Sequence, residues 1–178
     1  MISTNWIVIT GPPCSGKTTV INHLLGMNYK VVPDISRVYI QRELSSGKTA
    51  EQIHDNWGNA QQCIVQMRSN ILDSLAPDDI VFHDYAMPCN IAFRKLYDLK
   101  DTGELHDMSS LFVYKHIFLL DYYTMQYDSV RSIDSISQSQ LSDELYNVYS
   151  NLGYNVNIDP KMAVSDRANK ILNIAELI

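Results

Sequence analysis

The sequence predicts an α/β fold, with one five-stranded, mostly parallel sheet flanked by helices. Two observations carry this expectation. Short apolar runs rich in Val, Ile and Phe alternate with longer stretches whose apolar residues return every three or four positions. The chain has 178 residues, 46% of them apolar and 19% charged, which suits one domain, 1–178, around a full core.

Trp6–Thr10 reads as a first buried strand, and Lys17 to about Leu25 as the helix after it. Tyr29–Val32 is a second strand. Pro33 favours an extended Val32, and Asp34 is placed to cap a helix carrying Arg37 and Ile40. A long helix is expected after Thr49, since Ile53, Trp57, Ala60, Ile64, Met67, Ile71 and Leu75 form one apolar stripe. That spacing makes Trp57 a core residue. Pro77 ends the helix, and Ile80-Val81-Phe82 leads as a third strand to His83-Asp84.

Met87 to about Leu99 and Glu104 to about Tyr114 read as helices. His116–Leu120 is the fourth strand. Tyr122–Asp134 is polar and irregular, the best candidate for a mobile element. Ser137–Leu152 is helical and stopped by Gly153. Tyr154–Ile158 is the fifth strand, and a last helix starts near Ser165.

The first strand runs into Gly11-Pro12-Pro13-Cys14-Ser15-Gly16-Lys17-Thr18, followed by Thr19. This satisfies G-x-x-x-x-G-K-[ST] at every fixed position, with a strand before and a helix after. Glycines let backbone N–H groups curl around one phosphate, and the helix N-terminus adds positive partial charge. Lys17 is expected to reach the β- and γ-phosphates and Thr18 to ligate Mg²⁺. The ligand expected is ATP, with GTP possible. Cys14 sits within the loop, where a backbone or packing role is favoured over redox sensing.

Asp84 ends an apolar strand, where ligands gather in parallel sheets. It is a candidate to hold Mg²⁺ or to accept a proton from an acceptor hydroxyl; the plain reading is a turn aspartate or helix cap. Asp34 ends the second strand, next in line to the strand feeding the loop. It is a candidate for acceptor hydroxyls, with a simple cap nearly as good a reading. Arg37, one turn on, is either its partner, an anion contact or a surface residue. Arg131 is a candidate to neutralise the moving phosphoryl group. Arg167 is expected either to stack on an adenine face or to form a surface salt bridge. His83, His106 and His116 lack metal-ligand spacing.

The net charge of −6 argues against nucleic acid as the main partner. Cys14, Cys63 and Cys89 form no CxxC pair, so neither a disulfide framework nor structural zinc is expected, and a reducing, cytoplasmic setting is the simplest reading. The apolar run Trp6–Ile9 is too short for a signal peptide. No run approaches the roughly 20 apolar residues of a membrane span. A homo-oligomer is compatible with this composition.

Taken together, these pieces resemble the NadR-like small P-loop ATPases, a group bearing an AAA label. That group is similar to the nicotinamide-riboside kinase domain of NadR and to nucleoside and nucleotide kinases. The resemblance spans nearly the whole chain: Gly11–Thr19, Val31–Asp34 with Arg37, Val81–Asp84, Tyr127–Arg131, Tyr149–Tyr154, Pro160 and Arg167-Ala168. It implies a lid at about 122–134 over the phosphates and an acceptor pocket around Asp34, Arg37 and Asp84. It implies transfer of the γ-phosphate of Mg-ATP, aided by Lys17, Asp84 and Arg131, to a nucleoside-, nucleotide- or riboside-like acceptor. A nucleotide-dependent regulatory or binding module and a simple ATP or GTP hydrolase are the alternatives. Three positions depart from the family pattern: Asp34 where glutamate is frequent, Tyr85 where arginine is usual, and Cys89 where a second aspartate is usual. The last two fall in the expected acceptor pocket.

Overall fold

The computed structural model describes residues 1–100, 103–123 and 137–178. In chain order its elements are β1 (Ile2–Ser3), β2 (Trp6–Thr10), α1 (Lys17–Gly26), β3 (Lys30–Val32), α2 (Ile35–Ser45), α3 (Ala50–Asp55), α4 (Trp57–Leu72), β4 (Val81–Asp84), α5 (Cys89–Leu96), α6 (Glu104–Ser110), β5 (Phe112–Val113), β6 (His116–Leu120), α7 (Gln138–Asn151), β7 (Val156–Asp159) and α8 (Val164–Ile174). Five strands form one parallel sheet in the order β3-β4-β2-β6-β7. The expected α/β fold is therefore present, and its main sheet is parallel throughout.

β2 lies at the centre, and all five of its residues are buried. Its side chains alternate between two layers. Ile7 and Ile9 pack with Val20, Ile21 and Leu24 of α1 and with Ala168, Ile171 and Leu172 of α8. Trp6 and Val8 face the opposite layer, with Ile35, Ile64, Leu141 and Leu145 from the remaining helices. Covering both faces explains why the sequence of β2 is continuously apolar instead of alternating.

The parallel register sets Ile9 beside Asp84 and Thr10 beside Leu119. The carboxyl ends of the central strands thus come together where β2 gives way to the loop at Gly11. Asp34 is not on the neighbouring strand, contrary to expectation, because β4 is inserted between β3 and β2. A parallel pair needs a long crossover, and the chain supplies it with three helices before β4.

Other boundaries also differ from the sequence reading. The helix expected after Thr49 is broken at Asn56, giving α3 and α4. Thr49 and Gln52 form a capping box at its start, and the Asn59 side chain donates to Asn56 Oδ1 at the break. One interruption forfeits about 1 kcal/mol of backbone hydrogen bonding. Burying a side chain as large as Trp57 supplies roughly 2–3 kcal/mol, so packing on either side can hold the break. The helix expected to reach Tyr114 stops at Ser110, because Phe112 and Val113 pair with Ile2 and Ser3. Local periodicity could not foresee that pairing, which joins residues more than a hundred positions apart. β7 starts two residues later than read and ends at Asp159. Among the described residues no helix is long and apolar enough to cross a membrane.

His83 of β4 is fully buried, and neither ring nitrogen has a hydrogen-bond partner among the described residues. Its ring lies between Trp6 and Tyr114, at centroid distances of 5.4 and 5.7 Å. Burial, reinforced by the Arg68 charge, pushes its pKa down to about 3. The unfolded chain then binds the proton more readily, so the contribution of His83 to stability is present above the ordinary histidine range and lost as pH falls toward 3. The wild type should lose stability through this group between about pH 6.5 and 3. In His83→Leu that share of the loss should be absent, as read from urea midpoints across the range; equal acid sensitivity in both proteins would refute the assignment.

Candidate functional site

The loop that closes β2 is held open by its own carbonyl groups. Gly11 O accepts from Tyr85 Oη at 2.6 Å, and Pro12 O from Lys17 Nζ at 2.9 Å. Pro13 O accepts from Gln138 Nε2 at 2.6 Å, Cys14 O from the Tyr123 amide at 3.1 Å, and Ser15 O from Arg167 Nη1 at 2.7 Å. Each of these carbonyls is engaged by a donor of its own, and Pro12 O accepts the Ser15 amide as well, at 3.3 Å. A peptide unit is planar, so a carbonyl turned one way directs the following N–H the other way. Pro12 and Pro13 have no N–H, so after Gly11 the next amide the loop can offer is that of Cys14.

Two glycines make the path possible. A Cβ on Gly11 would meet the Leu120 carbonyl oxygen at 2.7 Å, and Gly16 has φ 83°. Cys14 also adopts a positive φ, 60°, which gives it the backbone role expected of it.

Lys17 is buried and folded back along the loop. Besides Pro12 O it reaches Ser15 Oγ at 3.2 Å, and its ammonium lies 4.5 Å from the centre of the Tyr85 ring. Thr18 Oγ1 donates to Asp84 Oδ2 at 2.9 Å. Asp84 is 1% exposed, and its Oδ1 is buried with no hydrogen-bond partner among the described residues. Burial first, and then the charge of Asp34, pushes Asp84 up to about 6, although Lys17 and the Thr18 hydroxyl oppose the shift. A threonine hydroxyl beside an orphaned carboxylate oxygen fits a divalent cation such as Mg²⁺. Among the described residues no group of three or more His, Cys, Asp or Glu surrounds a metal position. Mg²⁺ does not require one, because water and phosphate oxygens commonly complete its shell.

Beside the loop a cleft of about 160 Å³ opens between α2, α4 and α5. Its walls include Asp34, Arg37, Trp57, Gln61, Tyr85, Phe93 and Tyr97. Asp34 caps α2, with Oδ1 accepting from the amides of Ser36 and Arg37 at 3.0 and 3.3 Å. Trp57 stands edge-on to Tyr97, and Tyr85 edge-on to Phe93. Trp57 therefore belongs to the core, as expected, and also faces the cleft; its indole nitrogen is buried without a hydrogen-bond partner among the described residues.

Cys89 is not in the cleft wall, contrary to its expected place. It is 1% exposed, with Sγ 3.2 Å from Tyr149 Oη and 3.4 Å from Thr10 Oγ1, because α5 turns that face toward α7. Arg167 is also placed differently from both readings. It is 2% exposed, and its guanidinium contacts Ser15 O, Pro160 O and Asp159, which rules out both a surface salt bridge and an open base-stacking face. Arg131 and most of the segment expected as a lid lie outside the described residues.

The sequence reading missed Gln61, Phe93 and Tyr97. The pairs Trp57/Gln61 and Phe93/Tyr97 are each four apart on neighbouring helices, a spacing that puts each pair on one helix face. It also missed Arg68, 1% exposed, whose Nη1 donates to Tyr85 O at 2.7 Å and supports a residue at φ 62°.

The arrangement is that of a kinase-like P-loop fold. Deoxyadenosine kinase from M. mycoides, in a structure with products dCMP and a flexible dCDP, superposes with TM-score 0.67 at 15% identity, over 97% of this chain and 100% of that one. NadR in complex with NR gives TM-score 0.74 at 14% identity, over 98% of this chain and 51% of that one. Thymidylate kinase from Ehrlichia chaffeensis gives 0.60 at 17% identity, over 98% and 99%. The chain thus spans about half the length of the NadR chain it matches. At these identities the likeness concerns the fold. No curated protein matches the chain in sequence. Residues 6–167 match the model of the family described as an AAA domain, and the chain belongs to that family.

The raised pKa of Asp84 has a consequence for metal-free protein. The folded state holds the proton more tightly than the unfolded one, so the stability from this group is present below about pH 4 and lost as pH rises through about 6. Asp84→Asn should therefore have the higher thermal midpoint at pH 7.5 in chelator, with the gap closing toward pH 4. A midpoint below wild type at pH 7.5 would contradict the burial argument. His83 acts in the opposite direction over part of this range, so each group is isolated by its own variant.

Proposed function

We propose that this protein is a phosphotransferase that moves the γ-phosphate of Mg-ATP to a small acceptor of the nucleoside, nucleotide or riboside class. The observation that carries the proposal is the pairing of Thr18 with Asp84, an orphaned Asp84 oxygen beside it, at the boundary between the loop and an aromatic cleft. The amides of residues 14 and 16–18 would face the phosphates, the Ser15 amide being turned to Pro12 O. Lys17 would leave its internal carbonyl for the β- and γ-phosphates. Thr18 and Asp84 would hold Mg²⁺, whose charge would help neutralise the group in transfer. The alternative role for Asp84 is to accept a proton from an acceptor hydroxyl. Arg131, assigned by resemblance, would supply a further cation.

The cleft supports the acceptor class. Four aromatic side chains favour a planar ring, while Asp34, Arg37 and Gln61 offer hydrogen bonds to hydroxyls or ring edges. The enzymes that share the fold include a deoxyadenosine kinase and a thymidylate kinase, which is consistent with such an acceptor. We treat 1–178 as one domain with a lid near 122–134, and ATP as the favoured donor over GTP.

Tyr85 favours a second reading, a nucleotide-dependent binding module. Its hydroxyl holds Gly11 and its ring adjoins Lys17, so the cleft wall and the loop share one side chain. The two readings separate on a panel of nucleosides and vitamin ribosides with labelled ATP. A labelled phosphate ester is expected with at least one acceptor, and tight ATP binding with no product from any would favour the binding module. Lys17→Ala should lower turnover by roughly 100-fold or more while the protein stays folded. Turnover at the wild-type rate in folded Lys17→Ala would refute the loop's assignment.

A further inference from the structure

Arg167, expected either on an adenine face or in a surface salt bridge, lies buried against the loop. It begins the second turn of α8, far along the chain from the loop, yet Nη1 donates to Ser15 O at 2.7 Å. Nη2 donates to Pro160 O at 2.6 Å, and Nε lies 2.7 Å from Asp159 Oδ2. Asp159 is fully buried at the end of β7, and Lys170 lies 2.8 Å from its other oxygen. Two hydrogen bonds and one ion-pair contact hold the planar fork, a set that an ammonium on a flexible stem cannot reproduce.

We propose that Arg167 is a positioning residue of the phosphate cradle, setting the Ser15–Gly16 peptide so that its N–H faces bound phosphate. The proposal rests on reading Gly11–Thr18 as a polyphosphate site. A planar peptide whose carbonyl is pulled toward α8 must send its N–H away from α8. Gly16, at φ 83°, lacks the Cβ that would resist this setting. A charged donor holds its acceptor more firmly than a neutral one, and the loss of either partner in a buried site leaves the other unsatisfied. Asp159 offsets the burial of the guanidinium and aims it. A base-stacking arginine needs an exposed planar face; this one is 2% exposed.

The test measures Mg²⁺-dependent binding of AMP-PNP and of tripolyphosphate, which has no base. It compares wild type, Arg167→Lys and Asp159→Asn, with Lys17→Ala as reference, well below the lowest thermal midpoint. Arg167→Lys should weaken both ligands by the same factor, roughly tenfold or more. Asp159→Asn should weaken both by a smaller common factor. A loss confined to AMP-PNP would assign Arg167 to the base and overturn the proposal. Wild-type affinity for both ligands in a folded variant with a lowered midpoint would make Arg167 a staple of α8 and overturn it too. If Arg167→Lys does not fold, Asp159→Asn decides by the same criteria. Failure of wild type to bind either ligand would overturn the polyphosphate reading itself, whereas a loss in Lys17→Ala alone would overturn only the role of Arg167.

Discussion

The site depends on the outward pull on the carbonyls of residues 11 and 13–15. Left to itself, a loop with two prolines and two glycines has few internal hydrogen bonds and considerable freedom. Here each carbonyl is taken by a donor of different origin: a tyrosine after β4, the loop's own lysine, a glutamine opening α7, an amide after β6 and an arginine of α8. Four of the five come from outside the loop. The ordering entropy of an anion cradle is therefore met by the fold before any anion arrives, which is the condition for fixed dipoles to stabilise charge.

That dependence explains why buried polar groups concentrate at one end of the sheet. Asp84, Arg68, Asp159 and Arg167 are each at most 2% exposed, a position such residues seldom occupy without partners. Arg68 holds the backbone of Tyr85, which holds Gly11; Asp159 holds Arg167, which holds Ser15. Each chain of contacts starts at a strand end or helix and finishes on the loop. Asp84 differs, since one of its oxygens has no partner and its burial costs the metal-free fold stability at neutral pH. Sites tend to accept such a cost where a ligand will later supply the missing charge.

The parts of this architecture that were legible in the sequence are those with local causes. The cradle was readable because its glycines, lysine and threonine must stand at fixed spacing. β2 and β4 were readable because each is entered through an unbroken apolar run, Trp6–Ile9 and Ile80–Phe82, as strands covered on both faces are. The clamp residues Arg68, Tyr123 and Gln138 were not readable, since nothing near them in sequence distinguishes a buried donor from an exposed one. Strand order was hidden for the same reason: the insertion of β4 between β3 and β2 is a property of crossovers, and it moved Asp34 one strand away from its expected place. Cys89 was assigned to the cleft by its position after Asp84, but helical rotation turned it toward Tyr149.

Tyr85 joins the two halves of the site. An arginine there would bring a permanent cation close to Lys17, and the two would repel. The tyrosine instead offers its ring to the Lys17 ammonium at 4.5 Å and its hydroxyl to Gly11 O. Such a contact between cation and ring is worth about 0.5–2 kcal/mol. That is small beside the attraction of Lys17 for a polyphosphate, so it restrains the lysine without trapping it. A tyrosine at this position also adds no charge to the cleft wall. The charged groups that line the cleft are then Asp34, Arg37 and the loop's own Lys17. Tyr85 thus couples the lysine of the loop to the wall of the cleft through one uncharged side chain, so a change in either is felt by the other.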